Sequence, residues 1–243
     1  ELLRAYASFY RRASGPVYVG LGYHLDHFTN IDDKRAAQGE STPFSSYSGA
    51  DVTSTKASGI SINLLADTRN SIVNPTSGYY LSGSLRNYMA DIGSDRNWQE
   101  FWVAVQLYPR LPADSENILA FWIYSWLTFG PGPYYNLPAT GWDTYGRGAR
   151  GYLQGRIRAA NQIYLESEYR FGVTRDGLLG GVVFLNGTTS AQPETKTFGS
   201  MDYAGGVGIR IQFNKYSRTN LALDRAWGRA GSGGWFMGMS EAF

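Results

Sequence analysis

The stretch GRGARGYLQGRIRAANQIYLESEYR, residues 146–170, decides the fold. Its second half alternates, with Ile163 and Leu165 on one parity and Glu166 and Glu168 on the other. A period of two is typical of a β-strand with one apolar and one polar face. Its first half carries arginines and glycines but no acidic residue. Because guanidinium groups pair well with carboxylates, the pattern predicts a basic loop held against the acidic face of the following strand.

The composition favours a β-barrel that lies in a membrane. Only 17% of the 243 residues are charged, whereas 15% are aromatic and 30 are glycine. Such a balance suits a barrel whose aromatic residues lie at the membrane interfaces. Lys+Arg is 22 and Asp+Glu is 20, a near-neutral charge that argues against a nucleic-acid partner. The absence of cysteine and the presence of only two histidines exclude disulfides, thiol chemistry and a His-rich metal site, and we expect no cofactor.

Alternation of apolar and polar residues recurs along the chain and predicts eleven strands. They cover residues 3–10, 17–26, 60–66, 79–89, 100–108, 117–129, 161–174, 178–187, 201–214, 220–227 and 235–242. Strands of about ten residues span a bilayer when tilted, and no apolar run is long enough for a membrane helix. Long loops at 32–57, 130–159 and 188–199 alternate with short turns, which is typical of an outer-membrane barrel. Because such barrels have an even strand number, we expect a twelfth strand.

The two faces of the predicted strands distinguish a membrane barrel from a soluble one. The apolar parity is nearly free of charge except around Arg225, and the other parity is polar. A soluble barrel reverses this arrangement, with apolar residues inside. The pattern therefore favours a lipid-facing apolar surface. The alternative, a soluble ligand-binding barrel, would be shown by solubility without detergent.

Five stretches resemble a known family. They are DTRNSIVNPTSGYYL (67–81), GRGARGY (146–152), LESEYRF (165–171), GVVFLNG (181–187) and the glycine-rich end of the chain (203–243). In this order and spacing the chain resembles the barrel domain of the bacterial surface antigen superfamily, which includes the barrel-assembly protein BamA and the two-partner secretion transporters. The resemblance implies an all-β fold: a single transmembrane antiparallel barrel over residues 1–243, with a long Arg-Gly-Tyr loop folded into its lumen. Because family members usually carry POTRA domains and sixteen strands, we expect a minimal member that lacks both the POTRA domains and the N-terminal strands.

The resemblance also implies residue roles. Arg150, with Gly151 and Tyr152, corresponds to the motif at the tip of the inserted loop. Its acidic partner on the next strand corresponds to Glu168, with Glu166 as a neighbour in the lumen. The pair is expected to act as a structural latch for the loop, with a gating element as the alternative.

A second partner of the loop departs from the family pattern. The family has an aspartate where this sequence has Asn186, so the acid is replaced by an amide. An asparagine oxygen can accept one hydrogen bond from Arg150 but supplies no charge. We therefore expect a weaker second contact.

The resemblance further implies that the glycine-rich last strand and the first strand meet in a lateral seam, which is weakly paired and can open sideways. Its glycines are Gly233, Gly234 and Gly238, and lost edge pairing is expensive in lipid. A partner strand or a second copy of the chain, and hence a homodimer, is expected at this seam. Phe243 matches the aromatic ending of outer-membrane barrels and is expected to serve as the C-terminal assembly signal, which is compatible with a position at the membrane interface.

Catalysis is not expected. His24 and His27 lie three residues apart on one strand, so their side chains point to opposite faces. A Ser/His hydrolase also needs a serine within hydrogen-bond reach of a histidine, and no Gly-x-Ser-x-Gly elbow occurs.

The resemblance implies a function in the bacterial outer membrane. As an integral, multi-pass protein surrounded by outer-membrane lipids, the chain would help other polypeptides insert into the membrane or cross it. Its expected partners are client outer-membrane proteins and a second copy of itself. The alternative is a passive pore or a structural membrane scaffold that has lost insertase activity; a large ohmic conductance would indicate the pore and a plugged lumen the scaffold.

Overall fold

The computed structural model describes residues 1–143, 146–192, 197–214 and 216–243. The other positions fall in the loops predicted at 130–159 and 188–199 and in the turn predicted at 214–217. Those parts of the prediction lie outside the described residues.

Antiparallel strands dominate the described chain, and their number, eleven, agrees with the alternation of the sequence. They are β1 (Leu2–Ser14), β2 (Val17–Phe28), β3 (Thr55–Asp67), β4 (Tyr79–Tyr88), β5 (Trp98–Leu107), β6 (Ile118–Phe129), β7 (Asn161–Gly172), β8 (Leu179–Ala191), β9 (Asp202–Asn214), β10 (Thr219–Gly228) and β11 (Gly233–Met239). The order in the sheet follows the order in the chain, so β1 and β11 are its edge strands. The twelfth strand stays a prediction.

Helical structure in the described ranges is short. It consists of one α-helix, α1 (Pro43–Ser48), and the 3-10 segments Ala36–Gln38, Ala90–Ile92 and Tyr134–Asn136. None of the helices in the described part of the chain is long and apolar enough to cross a membrane.

Strands β3 and β7 to β10 expose their apolar face and bury the other face, whereas β1 is exposed along its whole length. In β3, Ile60 and Ile62 are 52% and 65% exposed, whereas Ser61 and Asn63 are 3% and 4% exposed. The same alternation runs through β7, whose buried positions include Glu166 and Glu168. Exposed apolar surface on this scale is typical of a surface that contacts a partner or a membrane. The predicted exposure of the apolar face and burial of the polar face are therefore confirmed for these strands.

Residues that share the polar face are aligned by the register of the last strands. In the β7–β8 pair, Glu166 lies opposite Asn186. In the β9–β10 pair, Asp224 lies opposite Gly208. Because directly opposed residues point to the same face of a sheet, both pairs present their polar atoms to the buried side.

The chain forms two compact units. Unit 1 comprises residues 1–64, 83–102 and 127–137, and unit 2 comprises residues 65–82, 103–126 and 138–243. Unit 2 therefore holds β7 to β11 and the loop that begins at residue 138. The single domain over 1–243 stays a prediction.

The loop predicted at 32–57 is more ordered than its polar composition suggests. Thr42 caps α1 in a reciprocal capping box with Ser45, and β3 already begins at Thr55. The Thr42 hydroxyl also donates to Asp33, and this hydrogen bond lowers the pKa of the Asp33 carboxyl below its ordinary value. Phe44 of α1 is buried, so the predicted loop contains a helix that packs against the protein.

Strand β8 is longer than predicted. It continues to Ala191, where it pairs with Asn161, although residues from 188 onward read as a polar loop. The buried face of the sheet is polar, so Thr188 can lie there as part of the strand. Polar composition is a weak signal for a loop in a sheet with a polar interior.

Candidate functional site: an anchored arginine loop

The basic loop is closed at its base by main-chain pairing within unit 2. Ala139 and Arg158 form an isolated antiparallel bridge. The amide of Ala159 donates to Pro138 O at 3.0 Å, and the amide of Thr140 donates to Ile157 O at 2.9 Å. The loop therefore leaves and returns at one point and behaves as a compact insert.

A tight turn places Arg150 at the tip of the loop. Ala149 has φ +60° and Gly151 has φ +107°, a region that side chains rarely adopt. The amide of Ala149 donates to the Tyr164 hydroxyl at 2.9 Å. A Cβ at Gly151 would lie 2.6 Å from the Cβ of Ala204 on β9. Glycine is therefore required here both by the backbone angle and by the close approach to the sheet.

Arg150 is surrounded by carboxylates. Its Nη2 contacts both Glu166 and Glu168, and its Nη1 lies 2.5 Å from Asp224 Oδ2. The guanidinium also lies over the Phe184 ring, 3.7 Å from its centre. Only 3% of Arg150 is exposed. A buried guanidinium needs such compensation because leaving water is costly for a charge.

The third carboxylate, Asp224, is a site residue that the sequence reasoning missed. It belongs to the polar parity of β10, which was the one available signal. Opposite it stands Gly208, where a Cβ would clash with the Asp224 carboxylate. The glycine thus makes the space in which Asp224 reaches Arg150.

Asn186 does not make the contact that was predicted for it. The Asn186 Nδ2 donates to the main-chain oxygen of Arg150 at 3.0 Å. The prediction was a different hydrogen bond, in which the Asn186 side-chain oxygen accepts from the Arg150 guanidinium. Asp224 and the two glutamates already pair with the two terminal nitrogens of the guanidinium, whereas Arg150 Nε has no hydrogen-bond partner among the described residues. Asn186, opposite Glu166 in the sheet, meets the turn's main chain instead.

Tyr152 fixes the outgoing side of the turn. Its hydroxyl donates to Tyr203 O at 2.6 Å and accepts from the amide of Arg229 at 3.1 Å. Its ring fills the space above Gly228, where a Cβ would lie 2.9 Å from the ring. All three residues of the Arg-Gly-Tyr motif therefore contact the sheet.

The ionic cluster extends beyond Arg150. Arg210 donates to Asp224 Oδ1 at 2.5 Å and to Glu241 Oε2 at 2.7 Å, and Arg170 donates to Glu168 Oε2 at 2.7 Å. Positive and negative charges alternate through this network. Such a chain of charged hydrogen bonds pins the loop and the strands in one arrangement.

The first part of the long loop has its own anchor inside unit 1. Asn136 Nδ2 donates to Asp26 Oδ2 at 2.8 Å, and Asp26 also accepts from Arg4 and Tyr6. The Tyr135 ring stacks on Phe28 at 5.1 Å. This anchor was missed because only the fold brings residue 136 to the polar face of β2.

The two histidines lie apart, each beside a serine in unit 1. His24 Nε2 lies 2.9 Å from Ser61 Oγ, and His27 Nε2 lies 3.3 Å from Ser54 Oγ. Ser61 is thus within reach of a histidine. In the described chain, however, His24 Nδ1 has no hydrogen-bond partner, so no third group orients the ring as in a nucleophilic triad. The residues described also offer no cluster arranged to hold a metal ion.

The predicted seam glycines all lie on the edge strand β11. Gly234 and Gly238 pair with Ala226 and Ala222 of β10, and Gly233 pairs with Trp227. A Cβ at Gly233 would lie 2.7 Å from Ala226 O, whereas a Cβ at Gly238 would meet no atom within 4 Å. Open space therefore lies beside Gly238.

Phe243 does not lie at an exposed interface position. Strand β11 ends at Met239, and Phe243 is 5% exposed, with its ring 5.4 Å from Trp122 and 5.0 Å from the Arg170 guanidinium. The interface position is therefore wrong, because the chain turns inward after the strand. The role of Phe243 as an assembly signal stays a prediction.

Comparison with known proteins gives a fold but no family. No family model matches the sequence, and no curated protein matches it significantly. A crystal structure of BamA from Haemophilus ducreyi that lacks POTRA domains 1–3 is similar, with a TM-score of 0.65 and 17% identity. The similarity covers 92% of this chain and 51% of the BamA chain, so the chain spans about half the length of that structure. In architecture, the chain has the fold of a BamA-like β-barrel.

Proposed function

We propose that the chain is an integral, multi-pass barrel of the bacterial outer membrane. The observation that carries this proposal is the reversed burial of the sheet, with isoleucines such as Ile62 exposed and Glu168 buried. Strands that span a membrane must turn apolar side chains to lipid and satisfy polar groups internally. Outer-membrane lipids are then the direct partners of the exposed face.

We further propose that the barrel helps other polypeptides insert into the outer membrane or cross it. The BamA-like fold supports this, and so do the two edge strands. In the part of the chain that the structure describes, β11 is seven residues long and pairs only with β10, and unpaired strand edges are costly in lipid. A strand of a client barrel or of a second copy would satisfy this edge. In this proposal the barrel positions a client strand and pairs with it, which requires no catalysis, so no enzyme activity is proposed.

The alternative is a structural scaffold or a passive pore without insertase activity. One observation favours the scaffold over the pore. In unit 2 the loop lies on the polar face, where Arg150 and Tyr152 are buried together with the carboxylates of Glu166, Glu168 and Asp224. A side-chain network that fills the polar face leaves less room for a wide water channel.

Folding of a client in liposomes tests the proposed function. The purified protein is reconstituted, and the folding rate of an unrelated outer-membrane barrel is compared with the rate in empty liposomes. Acceleration is expected because an exposed edge offers a template for the first client strand. Ion conductance of the same liposomes is recorded, since a large ohmic conductance would identify the pore.

Two variants sharpen this comparison. Arg150→Ala removes the centre of the ionic cluster, whereas Arg175→Ala changes an exposed arginine in the turn after β7. We expect acceleration to fall in the first variant and to persist in the second. A folded wild-type barrel that leaves the client rate at the empty-liposome value would refute the insertase proposal and leave the scaffold.

A further inference from the structure

The segment that follows the last strand is held in an unusual way. After β11, Ser240 adopts φ +74° and the chain leaves the sheet. Glu241, Ala242 and Phe243 are 4%, 8% and 5% exposed. We call residues 240–243 the inward segment. Its last three residues are buried although they belong to no strand. Two main-chain hydrogen bonds, from the Ser240 amide to Asn220 O at 2.8 Å and from the Glu241 amide to Val73 O at 3.1 Å, hold it together with side-chain contacts.

The acidic residue of the inward segment is recognised by two polar side chains. Arg210 Nε donates to Glu241 Oε2 at 2.7 Å, and Asn220 Nδ2 donates to Glu241 Oε1 at 2.7 Å. The Glu241 main chain also forms two hydrogen bonds. Its amide donates to Val73 O at 3.1 Å, and its carbonyl oxygen accepts from Arg147 Nη1. Both carboxylate oxygens are thus satisfied, as a buried acid requires.

The aromatic residue of the inward segment occupies a slot of matching chemistry. The Phe243 ring lies 5.4 Å from the Trp122 ring and 6.3 Å from the Tyr108 ring. The Arg170 guanidinium lies 5.0 Å from the ring centre, and its Nη2 donates to the Phe243 main-chain oxygen at 3.0 Å. Aromatic walls with a cation favour an aromatic side chain over an aliphatic one.

Between these two anchors the segment borders open space. The residues that line a cleft of about 330 Å³ include Gly238, Ser240 and Ala242, together with Arg147, Arg210 and the cluster residues Arg150 and Asp224. The segment is therefore held at Glu241 and Phe243, and Ala242 between them borders the cleft. Fixed side-chain subsites for an acid and an aromatic, joined by a short spacer, are how a protein selects a peptide.

We propose that this seat is a peptide-binding site, filled in cis by the inward segment. Its ligand is a short peptide with an acidic residue, a small residue and an aromatic residue in succession. Arg210 and Asn220 select the acid, and Trp122 and Arg170 select the aromatic. A peptide of this chemistry from another polypeptide competes with the inward segment for the seat. The site lies outside the proposed client-insertion activity and stands or falls independently of it.

Displacement of the inward segment tests this proposal on the full chain. The protein has no cysteine, so Ala242→Cys introduces a single thiol at a buried position. Acetyl-Met-Ser-Glu-Ala-Phe, as the free acid and as the amide, is added and the rate of maleimide labelling is followed. We expect slow labelling without peptide and a saturable increase with it. A labelling rate that no peptide concentration changes would contradict the proposal.

Peptide specificity and a second variant complete the test. Peptides with Gln for Glu or Ala for Phe should need about tenfold more material for the same effect, the ratio expected for one lost charge-assisted contact. Glu241→Gln, in the cysteine-free chain, weakens the cis segment without changing its shape. It should therefore bind a fluorescent peptide more tightly than wild type does. If neither folded protein binds the fluorescent peptide, the proposal is overturned.

Discussion

At the scale of single residues, Gly151 is the most constrained position of the candidate site. Its φ is +107°, and a Cβ added there would come within 2.6 Å of the Ala204 side chain. Each constraint alone has a cost: an unfavourable backbone angle and an overpacked contact destabilise by about 1–3 kcal/mol. The two contributions can be separated, because only the second depends on the side chain of Ala204.

We therefore expect Gly151→Ala to lower the free energy of unfolding by about 1–3 kcal/mol or more. Adding Ala204→Gly should recover the part of that loss that comes from the contact with the Ala204 side chain. The part that comes from backbone strain should remain. Urea unfolding in detergent, analysed as a double-mutant cycle, measures the coupling.

Gly155→Ala is the matched control for this cycle. Gly155 also has a positive φ, +75°, but a Cβ there would lie 3.5 Å from its nearest neighbour, Trp142. Its cost should not change when Ala204→Gly is added. If Gly151→Ala likewise shows no coupling to Ala204→Gly, the close approach of the turn to β9 is wrong.

The single-residue pairings were predictable only where sequence and register agree. Glu166 and Glu168 follow Arg150 closely and share the polar parity of one strand, so the pattern finds them. Asp224 is 74 residues from Arg150, and its place depends on the registers of β8, β9 and β10. Alternation tells which face a side chain takes, but not which residue of another strand lies beside it.

At the scale of elements, the anchored loop is the feature that joins β7, β8 and β10. Removing Arg150 would leave Glu166, Glu168 and Asp224 buried without their shared cation. Breaking a buried charge cluster by deleting one partner typically costs about 3–5 kcal/mol. The loop would also lose its deepest contact with the sheet.

We expect Arg150→Ala to reduce the unfolding free energy by about 3–5 kcal/mol and to expose the loop. Arg150→Lys should fall between this variant and wild type, since an ammonium keeps the charge but loses the planar fork. Denaturant unfolding measures the first effect. Trypsin cleavage after Arg156, an exposed loop residue, measures the second.

Arg175→Ala supplies the comparison for this experiment, because Arg175 is exposed in the turn after β7. Its unfolding midpoint and its rate of cleavage after Arg156 should equal those of wild type. An Arg150→Ala protein with the wild-type midpoint and a protected loop would show that the ionic cluster does not anchor the loop.

The elements themselves were predicted better at their centres than at their ends. Period-two alternation predicted the number of strands and which side chains share a face. It did not predict that β8 extends to Ala191 or that α1 lies within a predicted loop. Both differences come from polar residues. In a sheet with a polar buried face, threonine and serine belong equally to strands, caps and loops, so composition does not mark the boundary.

At the scale of the whole molecule, the central feature is a sheet with its polarity reversed. Val183, Val207 and Ile209 are about half exposed, at 50%, 49% and 56%. In water this surface would be a strong aggregation surface; in a bilayer it is the surface that lipid covers. The reversed polarity could be predicted from alternation alone. Closure, the expected twelfth strand and the partner of β11 could not, because they depend on backbone groups at the edges and not on side-chain pattern.

Spin-label accessibility in liposomes tests this central claim most directly. Cysteine replaces Val183, Val207 or Ile209, one at a time in the cysteine-free chain, and Arg175→Cys serves as the water-exposed reference. At the three strand positions we predict more frequent collision with oxygen, which dissolves in lipid, than with a water-soluble nickel chelate, and the reverse at position 175. Greater access of the nickel chelate to the strand positions would contradict the lipid-facing assignment and would favour a soluble barrel.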